Sequence, residues 1–360
     1  MTPNPLALIA EITHRCPLHC VYCSNPLQLV AKQAELSTDD WVRVFQEASR
    51  LGVLHLHLTG GEPAARTDLE ELIAGARQAS LYTNLITSGL GIPETRLPKL
   101  VDAGLDHIQL SFQDSSEGPA QWIAGAKGHA YKVVLAEKIR QLPLAFTVNL
   151  VVHRQNLDHI EEMIEFIEQL QPQRVEIAHA QYYGWALKNR RHLLPTPEQL
   201  DNCMRAVEAA QTRLAGKTRI DCVVPDYYAR YPKPCMGGWG RRTLLVDPSG
   251  RALPCHAAGV IPGMQFDSVR EHSLEHIWQE SAAFKMFRGD DWMPEPCQSC
   301  DRKTQDFGGC RCQAFLVTGN AAATDPVCSL SPDHHLIEIA RAAAASDPAQ
   351  PTWSYRASVG

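Results

Sequence analysis

Residues 6–23 read LALIAEITHRCPLHCVYC: an apolar run that ends in three cysteines, Cys16, Cys20 and Cys23, spaced C-x3-C-x2-C. The run reads as a buried strand, so the cysteines occupy the loop that leaves its end. A thiolate loop of this size wraps one face of a cubic iron–sulfur cluster, which ordinarily takes four Cys ligands. A fourth local thiolate is missing here, which leaves one iron open to an outside ligand. Zinc is the competing reading, but structural zinc sites are closed by four ligands, often as paired C-x2-C units.

The rest of the composition narrows the class. With 360 residues, 44% of them hydrophobic and 21% charged, the chain is globular and long enough for one large domain or two to three smaller ones. A formal net charge of −6 leaves no basic footprint for nucleic acid. No apolar run reaches membrane-spanning length, and MTPNPLALIAEITHRC lacks the basic start and cleavage site of a signal peptide. A cytoplasmic location is therefore expected, and the twelve cysteines read as metal ligands rather than disulfides.

From residue 6 to about 200, strand-like and helix-like patterns alternate. Ser37 and Asp40 form a helix start before Trp41, Val44, Phe45, Ala48 and Leu51 at helical spacing. LHLHLT (54–59) runs into Gly60-Gly61-Glu62-Pro63, and further strands follow at SLYTNLITSG, HIQLSFQ (107–113), LAFTVNLVV (144–152) and RVEIAHA (174–180). Repeated βα units argue for a parallel sheet with outer helices. About six of them predict an α/β fold built on an open, partial (β/α)6 barrel, with chemistry at the C-terminal strand ends. We read 1–200 as this barrel, 201–230 as a bridging segment, 231–330 as a cysteine-rich domain and 331–360 as a tail. In the tail, IEIARAAAA has helical composition and the last residues look loose.

The cysteine spacing, with Tyr22 just before Cys23 and GGEP one strand later, resembles the radical S-adenosylmethionine (SAM) enzymes. The resemblance implies a [4Fe-4S] cluster on Cys16, Cys20 and Cys23 whose open iron chelates SAM. It also implies a SAM-binding role for Gly60, Gly61 and Glu62, the carboxylate accepting from the SAM ammonium group. Ser88 stands where family members often carry Asn, Ser111 matches a polar position at the end of strand four, and Asn149 alternates with apolar neighbours on strand five; all three are candidate SAM contacts. His14, His19, His55 and His57 carry no assigned role, and Cys203 and Cys222 read as ordinary buried thiols.

A second cysteine block follows. Cys235 precedes RTLLVDPSGRALPC, a hairpin returning to Cys255, and then come Cys297, Cys300, Asp306, Cys310, Cys312 and Cys328. This pattern resembles the SPASM extension of peptide-modifying radical SAM enzymes, which binds two auxiliary iron–sulfur clusters, [2Fe-2S] or [4Fe-4S]. The resemblance puts Cys235, Cys255 and Cys310 on the first and Cys297, Cys300 and Cys328 on the second. Asp306 replaces the usual third clustered cysteine, and Cys312 is additional. We expect Cys312 to complete the first set and Asp306 to ligate the second through oxygen.

Together with AQYYGWALKNRR (180–191), these departures resemble the branch that cyclises a precursor peptide in pyrroloquinoline quinone (PQQ) biosynthesis. That implies a radical SAM oxidoreductase linking a Glu side-chain carbon to a Tyr ring carbon within a PqqA-type peptide. It also implies a small peptide-carrier protein (PqqD) and an external electron donor such as flavodoxin. The aromatics Tyr182, Tyr183 and Trp185 read either as a peptide-binding mouth or as core. No general base is readable.

Overall fold

In the computed structural model, residues 3–223, 225–346 and 351–359 are described. Nine strands among them form one sheet in the order β7-β6-β5-β4-β3-β2-β1-β8-β9. These are β1 (Ala7–Thr13), β2 (His55–Gly60), β3 (Tyr82–Thr87), β4 (His107–Phe112), β5 (Ala145–Val152), β6 (Arg174–His179), β7 (Arg219–Val223), β8 (Thr243–Val246) and β9 (Ala252–Leu253). Neighbours from β7 to β8 all pair in parallel, and β9 closes an antiparallel hairpin on β8.

The crossovers between β1 and β6 contain α1 (Thr38–Arg50), α2 (Leu69–Gln78), α3 (Leu97–Ala103), α4 (Glu117–Ala124), α5 (His129–Arg140) and α6 (Ile160–Leu170). The start of α1 is the capping box the sequence suggests. Ser37 Oγ accepts from Asp40 N, and Asp40 Oδ2 accepts from Ser37 N, at 3.1 and 3.3 Å. Its stripe of Trp41, Val44, Phe45 and Ala48 is fully buried, and each large side chain there contributes about 1.5–3 kcal/mol by leaving water.

Strand alternation divides the sheet into two environments. Leu56, Leu58, Leu85, Ile108, Leu110, Val148, Leu150 and Ile177 pack in the main hydrophobic core. The alternate face carries polar side chains that satisfy one another. Asn84 Nδ2 meets His57 Nδ1 at 3.2 Å, and Gln109 Nε2 donates to Glu176 Oε2 at 3.2 Å.

The sheet extends past both ends of the six-unit barrel. β7, inside the segment read as a bridge, adds in parallel beside β6 through the helix Pro197–Arg213. The β8–β9 hairpin pairs with β1 on the other side, so the cysteine-rich segment grows directly out of the barrel sheet. The tail corrects a second expectation. After the helix His334–Ala345, residues 351–359 have no regular structure, yet they are tied down. Asn189 exchanges two hydrogen bonds with the Ser354 backbone at 2.8 and 2.9 Å, and Tyr355 OH donates to Trp122 O at 2.9 Å. Composition alone made these residues look loose; their order comes from contacts distant in sequence.

Candidate active site

The loop after β1 and the loop after β2 are joined through backbone. Gly61 N donates to Thr13 O at 2.6 Å and Glu62 N to Arg15 O at 2.7 Å. A Cβ on Gly60 would lie 2.1 Å from Thr13 O, and one on Gly61 2.3 Å from Arg15 O. The two glycines thus permit the close approach of loop to loop. Sequence reasoning had assigned them to the approach of a ligand.

Cys16, Cys20, Cys23, Gly60, Gly61, Ser88, Ser111 and Asn149 line one cavity of about 270 Å³ at the C-terminal strand ends. Ser111 and Asn149 are cross-strand partners, and Asn149 Oδ1 is buried without a hydrogen-bond partner. Glu62 does not line it. Its carboxylate is 1% exposed and takes four donors: Ala64 N at 3.0 Å, Thr87 Oγ1 at 2.6 Å, Ser88 N at 2.7 Å and Ser88 Oγ at 2.5 Å. Burial pushes this carboxyl up from its ordinary range. Two backbone N–H groups and two hydroxyls converge on it and favour the ionised form against that burial. The expected contact from the Glu62 carboxylate to an ammonium group is therefore not what the geometry provides; every acceptor position is filled, and Glu62 braces Ser88.

None of the twelve cysteines is in a disulfide. Burial, then the neighbouring Cys20, pushes Cys16 up to about 12, and burial, then Cys23, pushes Cys20 up to about 11. Metal binding must therefore displace their protons. Three groups near this triad escaped the sequence reading because contacts distant in the chain create their roles. Lys132, 2% exposed, donates to Gln113 Oε1 at 2.6 Å and Ser111 O at 3.1 Å, and burial lowers it to about 8. Gln113 Nε2 in turn donates to Tyr22 OH at 3.1 Å. His179, at the end of β6, also lines the cavity; it is 2% exposed with both ring nitrogens unpartnered, and burial lowers it to about 4. The third is Arg356, from the tail.

The four cysteines of the first auxiliary set converge. Cys255 Sγ lies 3.5 Å from Cys312 Sγ, and Cys235, Cys255 and Cys310 line one cavity. The extra cysteine at 312 thus joins Cys235, Cys255 and Cys310. Cys297, Cys300, Asp306 and Cys328 surround a second, smaller space. Asp306 is 8% exposed and burial raises its pKa; Gly308 N donates to its Oδ1 at 3.1 Å, and the nearest Arg302 nitrogen is 3.6 Å from Oδ2. A buried carboxylate so sparsely compensated suits a cation. Among the described residues no three His, Cys, Asp or Glu side chains are placed to hold a single metal ion. A polynuclear cluster makes a different demand, since its thiolates bind separate irons bridged by sulfide. The two thiol-rich donor sets and the open three-cysteine loop fit such clusters.

The AQYYGW stretch connects these sites. Trp185 N donates to Cys23 O at 3.0 Å, and Asn189 Nδ2 to Val21 O at 2.7 Å. Tyr183 OH lies 2.9 Å from Cys310 Sγ. Tyr182, Tyr183 and Trp185 are all buried. Tyr182 packs on Tyr227, whereas Tyr183 also borders a cavity of about 370 Å³ between the Ser24–Gln28 loop and the β8–β9 hairpin.

The radical SAM superfamily model matches residues 10–167, and the SPASM iron–sulfur cluster-binding domain model matches residues 235–301. The PqqA peptide cyclase of Gluconobacter oxydans is 57% identical over 335 residues, 93% of each chain. That of Methylocella silvestris is 56% identical over 332 residues, 92% of this chain and 89% of its own. The chain belongs to the PqqA peptide cyclase family. Its fold is that of Streptococcus suis SuiB bound to S-adenosylmethionine, with a TM-score of 0.75 at 19% identity over 91% of this chain and 77% of that one. Native anSMEcpe with bound AdoMet superposes with a TM-score of 0.66 at 15% identity, over 94% and 100% of the two chains. As a PqqA peptide cyclase family member, the chain carries SAM, a [4Fe-4S] cluster and auxiliary iron–sulfur clusters as its cofactors. No helix among the described residues is long and apolar enough to cross a membrane.

Proposed function

We propose that this protein joins a Glu side-chain carbon to a Tyr ring carbon within a PqqA-type precursor peptide, a step of PQQ biosynthesis. One observation carries the reading beyond the family's name: a three-cysteine loop and a four-cysteine site are held together by one short segment, Tyr183 to Trp185. A radical generator and an electron acceptor would thereby be kept at the two ends of one short segment. When bound, SAM and its cluster supply a carbon-centred radical able to take hydrogen from an unactivated C–H bond.

The chain's own residues do the rest. Cys16, Cys20 and Cys23 would hold the radical-generating cluster; Cys235, Cys255, Cys310 and Cys312 the first auxiliary cluster; Cys297, Cys300, Asp306 and Cys328 the second. Gly60, Gly61, Ser88, Ser111 and Asn149 form the SAM-binding wall, with Glu62 as their brace. The peptide enters by the cavity that Tyr183 borders. His179, neutral and unpartnered, accepts at a ring nitrogen the proton that the Tyr ring loses when it regains aromaticity. A peptide-carrier protein of the PqqD type delivers the substrate, and a flavodoxin-like donor supplies electrons.

The test is anaerobic turnover of reconstituted enzyme with reductant, SAM, carrier and a Glu- and Tyr-bearing precursor, read by mass spectrometry. A peptide lighter by two hydrogens, with fragmentation lost between the Glu and the Tyr, is expected. Deoxyadenosine without any change in the peptide would overturn the cross-linking assignment.

A further inference from the structure

Arg356 comes from the segment that composition made look loose, yet it is 3% exposed and lines the cavity of the three cysteines. The docking that places it is specific. Arg356 N donates to His19 O at 3.1 Å, and His19 Nδ1 donates back to Arg356 O at 2.8 Å. These two bonds make a short ladder between the tail and the cysteine loop itself. The guanidinium donates through Nη2 to His14 O and through Nη1 to Ala357 O at 3.1 Å, while its Nε is buried without a partner. It lies over the Trp185 ring, 5.9 Å from the centroid, and lines the same cavity as Cys16, Cys20 and Cys23, where its positive charge favours their ionised form.

Among the described residues no carboxylate pairs with this guanidinium. Removing an arginine from water is costly unless an opposite charge meets it. The groups that do face it are the sulfurs of the cysteine loop, which carry negative charge once they bind iron. Lys132, on α5, is a second cation near the same sulfurs, held in place by Gln113 Oε1 and Ser111 O.

We infer that Arg356 supplies the compensating positive charge for the iron–sulfur cluster on Cys16, Cys20 and Cys23, and that the C-terminal segment is therefore a working wall of the cofactor chamber. A fixed cation beside the cluster stabilises the more negative, reduced form. Arg356 touches neither reacting atom of the peptide; it acts through the cluster, as a positioning residue. The inference rests on the cluster and not on the peptide reaction, so the two stand or fall separately.

The test uses reconstituted full-length protein, wild type and the variants Arg356→Gln and Arg356→Lys, in an EPR-monitored redox titration. The cluster concerned is the one whose signal changes when SAM is added. At the potential where half of this cluster is reduced in wild type, the reduced-to-oxidised ratio in Arg356→Gln is expected to fall about tenfold, a 59 mV displacement for one electron. Arg356→Lys should recover the ratio to within roughly threefold, because charge rather than shape is at issue. An unchanged ratio in Arg356→Gln overturns the inference. So does an unchanged ratio with weakened SAM binding in equilibrium dialysis, since the guanidinium would then serve a carboxylate of the ligand. If Arg356→Gln takes up no iron, Arg356→Met replaces it. Iron uptake lost in both neutral variants but kept in Arg356→Lys supports the charge assignment; loss in all three overturns it.

Discussion

Replacing Glu62 by Gln separates two views of the GGEP loop. In the native site each carboxylate oxygen receives one backbone N–H and one hydroxyl: Ala64 N and Thr87 Oγ1 at Oε1, Ser88 N and Ser88 Oγ at Oε2. An amide must present its NH2 to one of these pairs. A hydroxyl can turn to accept from it, but a backbone N–H cannot, so either orientation leaves one buried N–H unsatisfied. That costs about 1–3 kcal/mol, and losing the charge on the remaining bonds brings the sum to roughly 2–4 kcal/mol. Native stabilities are about 5–15 kcal/mol, so urea unfolding of the iron-free protein should move to clearly lower denaturant. SAM affinity in the loaded protein should fall only severalfold, through displacement of Ser88. Unchanged unfolding together with a hundredfold loss of SAM affinity would refute the brace and restore direct contact between Glu62 and the ligand.

Further outcomes follow from the other sites. Asp306→Ala should abolish or alter the spectroscopic signal of the second auxiliary cluster while sparing that of the first; two unaltered signals would remove Asp306 from the ligand set. His179→Gln should continue to release deoxyadenosine while cross-linked peptide falls on the order of a hundredfold; equal losses of both would make His179 structural. A hydrogen bond from His159 to the buried Asp114 raises the imidazole above its usual 6.5. Because the folded value is the higher one, the pair stabilises fully below about pH 6.5 and less as pH rises through the folded value. Screened by solvent, it is worth at most about 1 kcal/mol, so His159→Gln should be more destabilising in urea melts at about pH 5.5 than at about pH 9.

Much of this architecture is legible in the chain because local patterns write it. Ser37 and Asp40 sit at the capping spacing, LHLHLT alternates with period two, and the cysteine spacings name their own loops. Cys312 reads as a departure from the SPASM pattern that the other cysteines resemble, and its sulfur lies 3.5 Å from that of Cys255. What stayed hidden depends on contacts between distant segments. Glu62 reads as a ligand until Thr87 and Ser88, one strand away, are seen to fill it. Arg356 reads as tail until it is seen against His14 and His19, more than 300 residues earlier. His179 reads as the last residue of a strand, and burial without a partner leaves no trace in sequence.

The Tyr183–Trp185 segment has a mechanical consequence. One of its ends holds the Cys23 carbonyl and the other touches the Cys310 sulfur, so it is a strut between two cysteine sites. The link runs from the Trp185 amide through the backbone to the Tyr183 side chain, with one hydrogen bond at each end, at 3.0 and 2.9 Å. The loop of Cys23 and the thiol of Cys310 are thus coupled through one tyrosine side chain and two hydrogen bonds, so that moving one site pulls on the other. A motion that keeps those two hydrogen bonds carries both cysteine sites along together.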